Sequence, residues 1–405
     1  MLKKIKITKW TIMSFIVLNN AFNIALPFMA LSVMSKEIAK DLDLSIVQIG
    51  ILWGSASLLS IISSLLGGAV VDKLGARKIL IFSSLFVGFF GVSRGFTWDF
   101  YSIVTVTTIL GLVSPLIMLS NFKVFQDWFT SKELVFANGI MSTGMALGFL
   151  IGSQFSATVL SPLLGGWRGV LIAYSVVGFL LAFPWLFILK ENRTAINIGE
   201  KSLSLKSSMV KVIRLKNVWL LGFALFGVNG AINGLLGYLP LYLRTIGWDV
   251  LKASTTMTLF HTVSMFFTIP IVLYSSKWFS RKHSTIIAGS TILVGIGLLA
   301  VLSGPWIWLA VILAGFSRDG FMALFFTQVS ETDGVDASTV GTATGLTMML
   351  NGIGSILAPP IGNYFSAISF SAPFGFWAAL TFLGVLCLLA VGHPAIQVNK
   401  VRRSS

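Results

Sequence analysis

The sequence predicts an all-α membrane protein: twelve transmembrane helices arranged as two pseudo-symmetric six-helix bundles. Three observations carry that expectation. Of 405 residues, 55% are hydrophobic and only 11% charged, against about 25% charged in soluble domains. The apolar residues fall in blocks of about 20, each long enough to cross a bilayer core. Unusual residues of the first half also recur at a fixed offset in the second.

Splitting the chain at charged or Gly/Pro/Asn clusters places the helices at roughly 10–34, 47–70, 78–97, 99–122, 136–160, 168–189, 217–243, 253–275, 284–302, 306–328, 337–365 and 373–393. Lys3, Lys4, Lys6 and Lys9 before the first helix resemble the start of a signal peptide. Its apolar stretch is too long and lacks a small-residue cleavage site, so it reads as a retained helix. The one long polar stretch separates residues 1–190, an N-terminal bundle, from 217–405, a C-terminal bundle with a short tail, leaving 191–216 as a linker. Asn192-Arg193-Thr194 in that linker matches a glycosylation sequon, which has no meaning on a cytoplasmic segment.

The formal charge of +15 comes from 29 basic and 14 acidic residues. Nucleic-acid binding is one reading of such an excess, but the distribution speaks for topology. On one side lie six basic residues, Lys36, Lys40, Arg94, Arg168, Arg244 and Lys252; Arg318 falls within a span, and the other 22 share the side of the termini. The basic side marks the cytoplasm, so both termini are expected there, in a chain of the cell membrane that attracts anionic lipid. The single cysteine, Cys387, excludes an internal disulfide frame, and His261, His283 and His393 are too scattered for a metal cluster. No cofactor or nucleic-acid partner is expected, and a monomer suffices.

At an offset of 204, Lys73 falls on Lys277, Arg77 on Arg281, Lys78 on Lys282 and Asp127 on Glu331. A longer first loop moves the offset to 213 for the first and seventh helices, bringing Asn20 onto Asn233 and Pro27 onto Pro240. Such repeats are a common basis of transporter folds.

Between the second and third helices runs Gly68-Ala69-Val70-Val71-Asp72-Lys73-Leu74-Gly75-Ala76-Arg77-Lys78. Gly68 permits close helix approach, Gly75 supplies a turn, and Asp72 with Arg77 sets opposite charges at one corner. This segment resembles the G-x-x-x-D-[RK]-x-G-x-[RK]-[RK] motif of the major facilitator superfamily in every position. Trp128-Phe129 through Ala137-Asn138-Gly139, and Gly166-Trp167-Arg168, are also common in that family. The resemblance implies a cytoplasmic gate in which Asp72 meets the start of the eleventh helix near Ser338 and Thr339 when that side is shut. A carboxylate is favoured at a helix N-terminus. It further implies that Arg77 reaches Asp127. In the second copy Ser276 replaces the aspartate and Phe279 the glycine, leaving Arg281 with Glu331 as its partner.

Polar groups inside spans are costly and are functional candidates. Arg318 lies twelve residues beyond Trp306, roughly 18 Å into a core about 30 Å thick. Adjacent helical residues point about 100° apart, so a straight helix denies Arg318 a facing pair with Asp319. Arg318 then needs water, carbonyls, amides or an anionic substrate. Substrate binding, proton or charge coupling through Asp319 or His261, and a structural ion pair or carbonyl clamp remain open. The resemblance places the first, fourth, seventh and tenth helices around a central cavity. Asn19, Asn20 and Asn23 on the first helix, and Asn229 and Asn233 on the seventh, offer amides there, of which Asn20, Asn23, Asn229 and Asn233 are substrate-contact candidates. Interhelical hydrogen bonding is the alternative. Arg94 is expected to snorkel to the outer interface. The glycines of the fifth and eleventh helices are expected to permit close packing.

The expected function is secondary transport of a small solute by alternating access, with no phosphate-binding loop to use ATP. A small organic anion fits Arg318 beside amides. Two departures bear on this: Thr107 stands where many proton-coupled drug exporters have arginine, and the second and eighth helices lack the arginines some anion carriers keep. An exporter of amphipathic compounds, walled by Phe and Met, and a membrane sensor or scaffold are the competing readings. No catalytic triad or paired carboxylates support an enzyme.

Overall fold

The computed structural model describes residues 8–188, 205–278, 280–336 and 339–392. The expectations for residues 191–204, Phe279 and Ser338, and for the side chains of Asn138, Ser276 and Lys277, lie outside the described residues. Twelve helices are long and apolar enough to cross a membrane: α1 Lys9–Val33, α2 Ile46–Leu74, α3 Ala76–Phe96, α4 Phe100–Trp128, α5 Gly139–Leu163, α6 Trp167–Phe187, α7 Lys216–Thr245, α8 Val250–Tyr274, α9 Arg281–Val301, α10 Trp306–Ser330, α11 Val340–Ala367 and α12 Ala372–Ala390.

Local chemistry sets several of the boundaries. Ser45 with Gln48 starts α2, and Asp99 with Ser102 starts α4, each through a reciprocal capping box. Ser280 accepts from the His283 N–H at the start of α9. Gly75 separates α2 from α3 at φ 85°, a left-handed conformation that costs a side-chain-bearing residue energy.

Helix packing repeats in the two halves. The pairs α1/α5, α2/α4 and α3/α6 of the first bundle recur as α7/α11, α8/α10 and α9/α12 of the second. The bundles meet where α2 lies against α11 and α5 against α8. Several helices depart from regular geometry, among them α4, interrupted at Leu112–Val113, and α6, interrupted at Leu181. α1 has a π turn over Ala21–Ala25 and α5 one over Ser156–Leu160. α10 is broken at Ser317, between the segments Trp306–Phe316 and Arg318–Ser330.

The end bearing the basic loops is here termed the basic end. Along α2 and α11 the bundles are tightest at the opposite end. A Cβ on Gly50 would fall 2.8 Å from the Pro360 Cα, and one on Gly54 2.7 Å from the Ile356 carbonyl oxygen. Further along, Gly345 has only Leu65 at 4.0 Å, and Gly68 and Gly341 have nothing within 4 Å. Gly68 thus faces open space rather than the close helix contact expected of it, because the two helices diverge toward the basic end. The packing core agrees. One apolar cluster joins the second bundle to the opposite end of the first, through Met29, Trp53, Leu235 and Met257. A separate one, around Ile16, Leu80, Ile117 and Trp185, fills the basic end of the first bundle. The molecule is therefore sealed at one end and parted at the other.

Candidate functional site

The break in α10 creates the mid-span site. Ser317 Oγ donates to the Ala288 carbonyl at 2.7 Å and lies 2.6 Å from Thr291 Oγ1, which pins the interruption to α9. The second segment starts at Arg318, and Asp319 is the acidic residue of its first turn, the position a helix dipole favours for a carboxylate. Arg318 Nη1 bonds Asp319 Oδ1. This corrects the expectation that the adjacent pair could not face each other. That expectation assumed an uninterrupted helix, whereas the Ser317 turn, with the flexible arginine stem, lets the guanidinium fold back. Ser264 of α8 donates to Asp319 Oδ2 at 2.7 Å and accepts from the Asp319 backbone N–H at 3.1 Å. Arg318 is not exhausted by its carboxylate: its Nε is buried without a partner.

One turn from Ser264, His261 joins the bundles. Its ring stacks on Phe149 of α5 at 5.2 Å, and its Nε2 lies 3.2 Å from the Met29 sulfur of α1. Thr258, a further turn toward the opposite end, donates to Gln154 Oε1 at 2.9 Å and lies 3.1 Å from Ser153 Oγ of α5. Arg318, Asp319 and His261 thus sit beside the seam between the halves. At 1.5 Å per residue, Ser264 and Arg318 are each roughly 20 Å along their helices from the opposite end.

The asparagines are placed differently. Asn23 Nδ2 and Ser84 Oγ of α3 both donate to Asn19 Oδ1, at 2.8 and 2.9 Å, so this amide pair faces into the first bundle. Asn20 Oδ1 accepts from Asn121 of α4 at 2.8 Å. On α7, Asn229 donates to Asn351 of α11 at 2.7 Å, and Asn233 donates to the Ser355 carbonyl at 3.0 Å. Asn233 also accepts from Trp53 of α2. Interhelical bonding, the alternative reading of these amides, describes what they do in this arrangement. Asn20 Nδ2 and Asn121 Oδ1 nevertheless remain buried without partners.

At the basic end, Asp72 pairs with Lys123 of α4; with the bundles parted there, it does not meet the start of α11. Arg77 does not reach Asp127. It donates to the carbonyls of Trp185 and Leu186, the last turn of α6, where unsatisfied helix carbonyls attract a cation. In the second bundle Lys282 takes the equivalent place, donating to Leu389 O at 3.0 Å in the last turn of α12 and to Val391 O at 2.5 Å just beyond it. The repeat is thus displaced by one residue here, Arg77 matching Lys282 rather than Arg281. Arg281 and Glu331 are 3.0 Å apart. Near this end Lys9 bonds Glu133 at 2.8 Å, and that bond, with those from Thr130, pulls the Glu133 carboxyl down to about 2.

At the opposite end, Gly166-Trp167-Arg168 forms a clamp. The Trp167 indole and the Arg168 guanidinium both reach Asp41, and Arg168 Nη1 holds the Gly95 carbonyl at 3.1 Å. Arg94, expected at the interface, is instead 5% exposed with Nε unpaired, because this clamp draws its turn down onto α6. Between bundles, Arg244 of α7 pairs with Glu37 at 2.8 Å, Lys36 donates to the Arg244 carbonyl at 2.9 Å, and Asn363 of α11 donates to the Ile46 carbonyl at 2.8 Å. Sequence reasoning missed this seal and the partners Ser264, Asn121, Asn351, Trp53, Phe149 and Met29. Polar residues at helical spacing were the available signal for Asn121 and Asn351; the others depend on how the bundles meet.

The model of the Major Facilitator Superfamily matches residues 12–338, and the chain belongs to that family. A probable galactarate/D-glucarate transporter of Escherichia coli K12 is 24% identical over 98% of this chain and 96% of its own length. A hexuronate transporter of Bacillus subtilis is 22% identical over 91% of each. Among solved structures, a D-xylose–proton symporter covers 95% of this chain and 98% of its own at TM-score 0.77 and 16% identity. A D323A mutant of the nucleoside transporter NupG covers 94% and 100% at TM-score 0.79 and 15% identity. These likenesses carry the fold.

Proposed function

We propose that this chain is a secondary transporter that moves a small organic anion across the cell membrane by alternating access, with Arg318 receiving the anion. The observation that supports this most is the Arg318 guanidinium itself. It lies mid-span at a helix break beside the seam, and its Nε donor is unused. A buried cation with a free donor is matched by a carboxylate, which takes charge-assisted hydrogen bonds from it. The names of the relatives agree in chemistry, since glucarate, galactarate and hexuronates are all sugar carboxylates.

Residues 1–190 and 217–405 are the two moving bodies and 191–216 their tether. The basic end is the cytoplasmic one, by the excess of Lys and Arg in its loops, so both termini are cytoplasmic and the arrangement described is open inward. Gly68, Asp72, Gly75, Arg77 and Lys78, with Asp127, Arg281 and Glu331, form the gate on that side; Asp72 exchanges Lys123 for the start of α11 when it shuts. One chain contains both bundles and the seam, so a monomer suffices, surrounded by lipid. Asn20, with a spare donor against Asn121, is the amide of the set best placed to touch the solute; Asn23, Asn229 and Asn233 hold helices together in the inward-open state.

A thermal-shift panel of D-glucarate, D-galactarate, D-glucuronate, D-xylose and uridine against the purified protein tests the substrate class. Stabilisation by the carboxylates alone is expected. Stabilisation by the neutral solutes alone overturns the assignment.

A further inference from the structure

Arg94 of α3 is a buried cation in the first bundle that lacks a counter-charge. It is 5% exposed, its Nε is buried without a partner, and among the described residues no carboxylate acts on its guanidinium. We infer that a small monovalent inorganic anion, of the halide kind, binds Arg94 inside the first bundle, with the Thr107 hydroxyl of α4 as a second donor. The site is separate from Arg318, and the inference does not depend on the substrate reading above.

Sequence and fold together direct the guanidinium inward. Leu80, Ser84, Val87, Gly91 and Arg94 are all buried, and their spacing of four, three, four and three puts them on one face of α3. Ser84 on that face donates to Asn19 of α1, so the face looks into the bundle. Helical side chains lean toward the N-terminus of their own helix, which for α3 is the basic end. The Arg94 stem therefore leans down into the bundle and away from the interface. Its turn is fixed there: a Cβ on Gly95 would stand 2.5 Å from Ile172 of α6, and Arg168 holds the Gly95 carbonyl at 3.1 Å. Thr107 enters the same part of the bundle from α4. It lies seven residues past Phe100, roughly 10 Å in from the opposite end, and is 2% exposed with its hydroxyl buried and unpartnered.

Charge decides what fits beside Arg94. The acidic residues within the first six spans are Asp72 and Asp127, both in the last turn at the basic end. At the opposite end Asp41 is already bound by Trp167 and Arg168. Arg318 of the second bundle has Asp319 at hand; Arg94 has no such neighbour. An uncompensated charge in a low-dielectric interior is strongly disfavoured, and a bound anion removes the imbalance where water alone does not. Enclosure sets the size of the ligand, since two side chains this deeply covered leave access for an ion and not for a sugar acid.

Thermal unfolding of the purified full-length protein in sodium HEPES and in sodium chloride, at equal ionic strength, tests the inference. A bound ion stabilises by mass action, so the melting temperature is expected to rise by several degrees and then level off as chloride replaces HEPES up to about 100 mM. Arg94→Gln abolishes the rise, and without chloride this variant melts no lower than the unaltered protein, because it removes a charge that nothing balances. Thr107→Val moves the midpoint of the rise to higher chloride. Arg318→Ala keeps the rise, which separates this site from the mid-span one. Bromide soaked into crystals of the unaltered protein needs no variant to fold: an anomalous peak within hydrogen-bonding reach of the Arg94 guanidinium is expected. Equal melting temperatures in the two salts, a rise that survives Arg94→Gln, or crystals without bromide beside Arg94 overturn the site.

Discussion

Arg244, at the end of α7, reaches Glu37, in the short helix Ser35–Asp41 that follows α1, at 2.8 Å, with only 17% of the arginine side chain exposed. This ion pair crosses from one bundle to the other, and Lys36 doubles it by bonding the Arg244 carbonyl. It exists only while the opposite end is sealed, so its energy is a bias on the conformational equilibrium and not simply on stability. Partly exposed pairs contribute up to about 1 kcal/mol, roughly fivefold in a population ratio. Glu37→Gln is expected to raise the fraction open at that end by about this factor. Spin-label distances between Lys40 and Asp249 positions would read the change, and the double reversal of Glu37→Arg with Arg244→Glu should restore the original distribution.

Close approach of α2 and α11 at Gly54 makes a second prediction. A methyl group there meets the Ile356 carbonyl at 2.7 Å, and both partners are helix backbone with little room to yield. Overpacking of this kind costs about 1–3 kcal/mol. Gly54→Ala should disfavour the form sealed at this end. The expected readout is a lower melting temperature for protein held in that form by a conformation-specific binder, with a smaller drop in its absence. Equal drops would mean that α2 and α11 do not separate at this end during the cycle.

Asn121→Ala separates packing from solute contact in the first bundle. It leaves the buried Asn20 acceptor without its donor, at a cost of about 1–3 kcal/mol. If the pair only joins α1 to α4, the melting temperature falls by several degrees and solute affinity changes less than about twofold. A larger loss of affinity than of stability would place the solute at this amide pair.

Asp72→Asn removes the charge that pairs with Lys123 and that the proposed gate brings to the start of α11 when shut. Turnover should fall at least about tenfold, because the shut gate loses a charge-assisted helix cap. Solute affinity measured in detergent should stay within about twofold, since the mid-span site is untouched. Loss of affinity with unchanged turnover would remove Asp72 from the gate.

Features set by local chemistry were legible in the sequence. The twelve spans, the Gly75 turn and the Arg281–Glu331 pair follow from hydropathy, backbone sterics and charge placed within one corner. Arg318 and Asp319 were misjudged because a periodicity argument assumes a continuous helix, and the hydroxyl of Ser317 that breaks it finds its partners on α9. Arg94 was misjudged because its burial is imposed by Arg168 and Trp167 closing over the turn, a contact between distant segments. The partners of the asparagines, Asn121 and Asn351, are visible as polar residues in apolar spans, but which helices they join is decided by tertiary packing.

Uptake of labelled D-glucuronate into vesicles containing the unaltered protein or Arg318→Ala tests the central claim most directly. Truncating a desolvated cation that binds its ligand's charge costs about 2–5 kcal/mol. The account predicts saturable uptake by the unaltered protein and a loss of at least about thirtyfold in kcat/KM for the variant. Equal uptake by both proteins would contradict it.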